Sequence, residues 1–163
     1  MKSEARRWIF DVTVWILGVV AAALLVAEAT ASAGRYPAST NAAWKAECGS
    51  CHLAYPPQML SAPSWRTIVG GLDRHFGVDA SVDAPAAASI GAFLEANAAR
   101  AGGKRSDPSA VRITEAGWFR HEHAEIAAAT WAGPKVKSAA NCGACHGGAD
   151  SGDFSERAVR VPR

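Results

Sequence analysis

The sequence predicts an all-α fold in which an N-terminal signal or anchor helix precedes two small lobes. Three observations predict it. Apolar residues recur at three- and four-residue spacing, which is typical of amphipathic helices. Two cysteine pairs lie far apart, one in each predicted lobe. Residues 34–163 contain 26 large apolar side chains against 28 alanines, so side chains alone make a thin core. The predicted boundaries are residues 1–33, 34–103 and 104–163.

The composition excludes several classes of protein. The 163 residues include 17 Lys and Arg against 15 Asp and Glu, a net charge of +2, so no strong basic field points to nucleic acid or an anionic membrane surface. Collagen-like, coiled-coil and disordered chains are excluded as well. When a core is thin, disulfides, metals or a bulky cofactor are the usual means of stabilisation.

Residues 1–33 are predicted to be a secretory signal. Lys2, Arg6 and Arg7 form a positive start, residues 12–27 are uncharged and apolar, and Ala31-Ser32-Ala33 provides small residues for cleavage. The alternative is an uncleaved membrane anchor, for which an uncharged stretch of this length is short of the roughly 20 residues that span a bilayer. Membrane contact is expected only through this segment, if it is retained.

All four cysteines lie in two C-x-x-C-H motifs, the pattern of covalent c-type haem attachment. Two thiols three positions apart lie on one edge of a helical turn, where they can add to the two vinyl groups of a haem. The adjacent histidine then binds the iron. We expect two covalently attached haem c groups. Their predicted binding residues are Cys48, Cys51 and His52 in the first motif and Cys142, Cys145 and His146 in the second.

Three other uses of the cysteines compete with haem attachment. A four-cysteine zinc site usually places its pairs about 15–20 residues apart, whereas Cys51 and Cys142 are 91 positions apart. Two structural disulfides are compatible with export, but a C-x-x-C pair is more often redox-active than structural. A thioredoxin-like site requires a surrounding βαβ pattern, which the sequence does not show. The motifs therefore favour haem.

The sixth ligand of each iron decides the function. An iron closed by a side chain passes electrons, whereas an open iron binds dioxygen, nitric oxide or peroxide, as in a small haem enzyme or a gas sensor. The remaining candidates are His75, His121, His123 and Met59.

Three helices are predicted in the first lobe. Ser39 or Thr40 caps the first, which carries Trp44 and Cys48, and Tyr55-Pro56-Pro57 breaks the helix after the motif. A proline carbonyl in this loop is available to accept the ring N–H of His52, and an ordinary turn without that contact is the alternative. The second begins at Pro63, and the third begins after Asp83 and ends at Gly102-Gly103. The apolar stripe of the second helix consists of Trp65, Ile68, Val69 and Leu72, and its continuation reaches His75 and Phe76. We therefore expect His75 to be an iron ligand on that helix.

A linker over residues 102–109 leads into one predicted helix from Thr114 to Thr130. Taking Phe119 as zero at about 100° per residue, Ile126 falls near −20°, His123 near +40° and His121 near 200°. His123 therefore shares the apolar face and is the predicted ligand, whereas His121 faces away.

The predicted iron ligands are thus His52, His75, His123 and His146. His52 and His75 are 23 positions apart, and so are His123 and His146. Local closure costs less chain entropy than crossing over. We favour these two local pairs, and a crossed pairing remains open.

At this point the sequence resembles the small dihaem cytochrome c family of photosynthetic and denitrifying proteobacteria. The resemblance runs through nearly the whole of residues 34–163. The matching stretches are residues 47–57, 64–65, 71–77, 112–115, 118–119, His123, 141–146 and 152–157.

The resemblance implies a soluble periplasmic electron carrier with two six-coordinate, bis-histidine haems, in which His75 and His123 match the distal ligands. It implies two partners, an oxygen-binding monohaem cytochrome c that accepts electrons and a membrane-bound b-type cytochrome that supplies them. His121 departs from the pattern. Because the thiols must react in an unfolded chain, export by the general secretory route is expected. No general base, nucleophile or phosphate loop is evident, so we expect no catalysis.

Overall fold

The computed structural model describes Trp15, residues 34–37 and residues 41–162. Apart from Trp15, the predicted signal segment lies outside the described residues. Within the described ranges, no helix is long and apolar enough to cross a membrane. The chain divides into one unit of residues 1–35 and a second of residues 36–163, and both cysteine motifs lie in the second.

Every regular element that the structure describes in residues 36–162 is helical, which confirms the predicted all-α class. The α-helices are α1 (Ala42–Cys48), α2 (Ala62–Val69), α3 (Ala84–Ala96), α4 (Gly117–Glu122) and α5 (Ala128–Ala132). Six short 3-10 turns connect them: Pro57–Met59, Leu72–Arg74, Ile113–Glu115, Cys142–Ala144, Ala149–Ser151 and Glu156–Ala158.

Helix α1 is capped by Asn41, so the prediction of a Ser39 or Thr40 cap was wrong; those two residues lie outside the described ranges. The Asn41 side-chain oxygen accepts a hydrogen bond from the Trp44 backbone N–H at 2.7 Å. Asparagine is among the best N-cap residues because its short amide reaches the first free N–H groups of the helix. The cap also fixes the start of the helix that ends at Cys48.

Helix α2 ends at Val69, so the prediction that it continues to His75 was wrong. Gly70 and Gly71 follow, and glycine costs helical order about 1 kcal/mol relative to alanine. The chain then forms the 3-10 turn Leu72–Arg74 and a tight reversal in which His75 bridges Val78. His75 is therefore presented by a turn that follows the helix.

Helix α3 begins after Asp83, as predicted, but ends at Ala96 before the predicted stop at Gly102-Gly103. The Asp83 carboxylate accepts from the Ala86 N–H at 2.7 Å. At the other end, the Asn97 side-chain amide donates to the Phe93 carbonyl at 2.8 Å and closes the last turn.

The buried core of the first half of the second unit, residues 36–103, lies between α1, α2 and α3. Its members are Trp44, Leu60, Trp65, Ile90 and Leu94. Five large residues are few for a domain of this size, which agrees with the thin core that the composition predicts.

The predicted single helix from Thr114 to Thr130 was wrong, because the structure divides this segment into a 3-10 turn, α4 and α5. Ala116 and Ala127 have extended backbones, with ψ of 140° and 143°, and each precedes a new helix. His123 follows the last residue of α4, and its backbone N–H donates to the Phe119 carbonyl at 3.1 Å. Phe119 and His123, which the sequence places on one helix face, therefore still lie one turn apart.

The two halves of the second unit contact each other. The Trp118 indole N–H donates to the Met59 carbonyl at 3.2 Å, and the Ser64 hydroxyl donates to the Asp107 carbonyl at 3.3 Å. The predicted division into residues 34–103 and 104–163 stays a prediction.

Candidate functional site

The first motif begins at the last residue of α1, so the helix presents Cys48 directly. Gly49 follows, and the Cβ of any other residue there would clash with the Lys45 carbonyl oxygen. Burial raises the pKa of the Cys48 thiol. None of the four cysteines is joined in a disulfide, so all four thiols are available for attachment.

The first motif places His52 beside His75. Their ring centres are 6.1 Å apart, and the ring planes lie within 25° of parallel. His52 Nδ1 lies 2.7 Å from the Leu53 carbonyl oxygen. A carbonyl only accepts, so Nδ1 carries the hydrogen and Nε2 keeps its lone pair. The predicted proline acceptor was wrong: the Pro57 carbonyl accepts from Trp65 Nε1 instead.

His75 lies in the turn after α2 and faces both His52 and an arginine. Burial lowers the pKa of His75, and the neighbouring His52 and Arg112 lower it further. The Arg112 guanidinium also lies 4.1 Å from the centre of the Phe76 ring. These effects favour the neutral imidazole, which is the form that binds a metal.

A cavity of about 680 Å³ is lined by the first histidine pair and by both cysteines of the first motif. Its walls include the core side chains Trp44, Leu60, Trp65, Ile90 and Leu94. The large apolar residues of the first half therefore line this cavity, and a flat apolar group seated there would complete the core.

The second pair is formed by His123 and His146, with ring centres 6.2 Å apart and planes at 73°. His123 Nδ1 lies 2.8 Å from the Phe119 carbonyl oxygen, so its Nε2 also keeps a lone pair. The Phe119 ring stacks on His123 at 4.1 Å, and Trp131 lies 5.7 Å away on another side. His121, two residues earlier, is exposed.

The second motif forms the 3-10 turn Cys142–Ala144, and the His146 N–H donates to the Cys142 carbonyl at 2.8 Å. Burial raises the pKa of Cys142 to about 11. Burial and the nearby His123 lower the pKa of His146. His146 Nδ1 is buried and has no hydrogen-bond partner among the described residues, which is costly for a buried polar atom.

A second cavity, of about 930 Å³, is lined by Cys142 and His146 and also by Cys51 and His52. The first motif therefore borders both cavities. The Trp44 ring and the Ala140 backbone segment border both as well.

The spacing of the histidines fits two metal-centred groups. An imidazole nitrogen binds a metal at about 2 Å and the ring centre lies about 1 Å behind it, so a metal between two imidazoles separates the ring centres by about 6 Å. Both pairs have this separation. The thiols and the two histidine pairs thus fit two haems, and the first cavity holds a complete set of these residues. The second cavity is lined by Cys142 and His146, whereas Cys145 and His123 are not among its lining residues.

Three aromatic residues that the sequence analysis did not single out contact the candidate ligands. Tyr55 stacks on His52 at 4.9 Å, Phe154 lies 5.1 Å from His146, and Trp131 approaches His123. Burial, with a smaller effect of Cys142, raises the pKa of Tyr55 to about 12. Tyr55 lies three residues after the first motif, and both Tyr55 and Phe154 lie in stretches that resemble the family; nothing local marks Trp131.

Comparison with known proteins identifies the group. The family model of dihaem cytochrome c matches residues 44–154. A diheme cytochrome type c from Shewanella baltica is 39% identical, with a TM-score of 0.67 over 76% of this chain and 94% of that chain. A diheme cytochrome c from Rhodobacter sphaeroides is 37% identical, with a TM-score of 0.65 over 73% of this chain and 100% of that one. No curated protein sequence matches. The chain therefore belongs to the dihaem cytochrome c family, and its two motifs attach two haem c groups.

Proposed function

We propose that this protein is a periplasmic electron carrier that relays single electrons through two bis-histidine haems and catalyses no reaction of its own. Membership of the dihaem cytochrome c family supports the electron-transfer role. The ligand pairs in the proposal are His52 with His75 and His123 with His146.

The observation that carries the proposal is the spacing of the two histidine pairs. Each pair has the separation of about 6 Å that a metal bound between two imidazoles requires. The two pairs, His52 with His75 and His123 with His146, would each hold one haem, which would supply one-electron redox chemistry and leave no position for a substrate.

The chain orients two of the four ligands through hydrogen bonds from Nδ1. The Leu53 and Phe119 carbonyls accept from Nδ1 of His52 and His123, which fixes the tautomer and holds one edge of each ring. Aromatic faces around the rings exclude water from the second site, since Phe119, Trp131 and Phe154 contact its histidines. Burial lowers the pKa of His146, which favours its neutral state.

The location and the partners belong to the same proposal. The signal-like residues 1–33 support export by the general secretory route to the periplasm. The family resemblance supports a membrane-bound b-type cytochrome as electron donor and an oxygen-binding monohaem cytochrome c as acceptor. The net charge of +2 gives no support for nucleic acid as a partner.

A visible spectrum of the dithionite-reduced protein, with and without carbon monoxide, tests the proposal. Two haems per chain and an unchanged spectrum are expected, because both irons are closed by histidine. A carbon monoxide shift on about half of the haem would contradict the proposal and indicate one open iron, as in a haem enzyme or gas sensor.

A further inference from the structure

Tyr55 connects the two haem sites through separate parts of its side chain. Its ring stacks on the imidazole of His52, with centres 4.9 Å apart and planes at 26°. Its hydroxyl donates a hydrogen bond of 2.9 Å to the carbonyl of Ala140, which lies two residues before Cys142. The bond joins positions 85 apart in the sequence.

The ring of Tyr55 restricts the plane of His52. An imidazole rotates about the bond to its Cβ, and the Leu53 carbonyl holds only one edge of this ring. The Tyr55 face lies against the same ring and blocks rotation. The planes of Tyr55 and His75 each lie within 26° of the plane of His52.

The hydroxyl of Tyr55 is attached to a well-fixed segment. The Ala140 N–H donates to the Ser138 hydroxyl at 3.1 Å. The next residue, Asn141, donates to the carbonyl of the buried Val136 at 3.0 Å and accepts from the Ala144 N–H at 3.1 Å. That last bond closes the turn of the second motif, so the hydroxyl bond ends at the start of that motif.

We propose that Tyr55 is a positioning residue: its ring sets the plane of the axial ligand His52, and its hydroxyl makes that plane depend on the segment leading into the second attachment motif. The inference rests on the proposed ligation of iron by His52. It gives the first site a mechanical link to the second that does not pass through either haem.

Electron paramagnetic resonance of the oxidised, haem-loaded protein provides the readout, because low-spin haem signals depend on the angle between the axial imidazole planes. The variants are Tyr55→Phe, which keeps the ring, and Tyr55→Leu, which removes it. The control is Tyr36→Phe, which removes the hydroxyl of the other tyrosine, a ring packed on Phe154 at 5.5 Å. His75→Ala identifies the signal of the first site by abolishing it.

We expect Tyr55→Leu to shift the signal of the first site toward the type given by a larger angle between the His52 and His75 planes. The signal of the second site should stay unchanged. Tyr55→Phe produces a smaller shift in the same direction, and Tyr36→Phe produces none. Ser138→Ala removes the hydroxyl that accepts from the Ala140 N–H, so it should shift the first-site signal when the Tyr55 hydroxyl is present. In the Tyr55→Phe variant, which lacks that hydroxyl, Ser138→Ala should cause no further shift.

The outcomes separate this inference from the proposed function. A high-spin signal in the unaltered protein overturns the bis-histidine ligation and the role of Tyr55 with it. Two low-spin signals that Tyr55→Leu leaves unchanged overturn the role of Tyr55 alone. A shift in Tyr55→Leu without one in Tyr55→Phe, or additive effects of Ser138→Ala and Tyr55→Phe, overturns the link through the hydroxyl.

Discussion

The rings of His123 and His146 lie 6.2 Å apart with their planes at 73°, nearly perpendicular. The rings of His52 and His75 have almost the same separation, 6.1 Å, but their planes are only 25° apart. The two sites thus have the same pair of residue types at the same separation and differ in the angle between the two imidazole planes.

This difference predicts two distinct low-spin signals in the electron paramagnetic resonance spectrum of the oxidised protein. Nearly parallel imidazoles separate the iron d orbitals and give a rhombic signal, whereas crossed imidazoles leave two orbitals close in energy and give a strongly anisotropic one. We expect one signal of each type, in equal amounts. Two superimposed rhombic signals would show that the His123 and His146 planes are nearly parallel when both histidines bind iron, which contradicts this prediction.

Replacement of the candidate distal ligands predicts opposite results for two histidines. His75→Ala removes the partner of His52 and opens one iron, so we expect carbon monoxide to bind about half of the haem of the reduced protein. His121→Ala is the matched control: His121 is exposed, and its loss leaves the spectrum unchanged. Carbon monoxide binding in His121→Ala would show that this residue is a ligand.

Bis-histidine ligation predicts low midpoint potentials for both haems. The thioether of a methionine raises the potential of a haem relative to a second imidazole. Met59, the only methionine in residues 34–163, is 3% exposed in the core, and its carbonyl accepts from Trp118. Spectroelectrochemical titration should place both couples well below those of His/Met cytochromes. A couple in the range of those proteins would contradict the ligation at that iron.

The thin core of the first half predicts a large effect for a single buried leucine. Leu94 is 2% exposed and belongs to the cluster that lines the first cavity. Leu94→Ala should lower the free energy of unfolding of the haem-loaded protein by about 2–5 kcal/mol, through lost burial and the space left behind. Chemical denaturation measures the change.

The matched control for that variant is Val161→Ala, which truncates an apolar side chain that is 43% exposed. Its effect should stay within about 0.5 kcal/mol, as for most surface substitutions. Equal effects of the two substitutions would show that Leu94 does not support the core.

The sequence predicted the fold class and the attachment motifs well because both depend on local patterns. Asp83 and Ser61 mark the starts of α3 and α2, where each side chain caps its helix. The helix ends were predicted less well. Glycines at 70 and 71 stop α2 before His75, and extended backbones at Ala116 and Ala127 interrupt the predicted helix from Thr114 to Thr130.

The ring contacts around the candidate ligands join residues three to eight positions apart, but most of them form across turns, where no helical periodicity predicts them. Phe154 reaches His146 across the turn Ala149–Ser151, and the Tyr55 hydroxyl bonds to Ala140 across 85 positions. His123 fell on the apolar face of a helix that the structure divides; it still contacts Phe119 because the two residues are four positions apart in α4 and at its end.

Anomalous diffraction at the iron absorption edge, from crystals of the haem-loaded protein, locates each iron relative to the histidines. We expect two iron peaks, one between the rings of His52 and His75 and the other between the rings of His123 and His146. An iron shared between His52 and His123, or an iron with a histidine on one side only, would contradict this expectation.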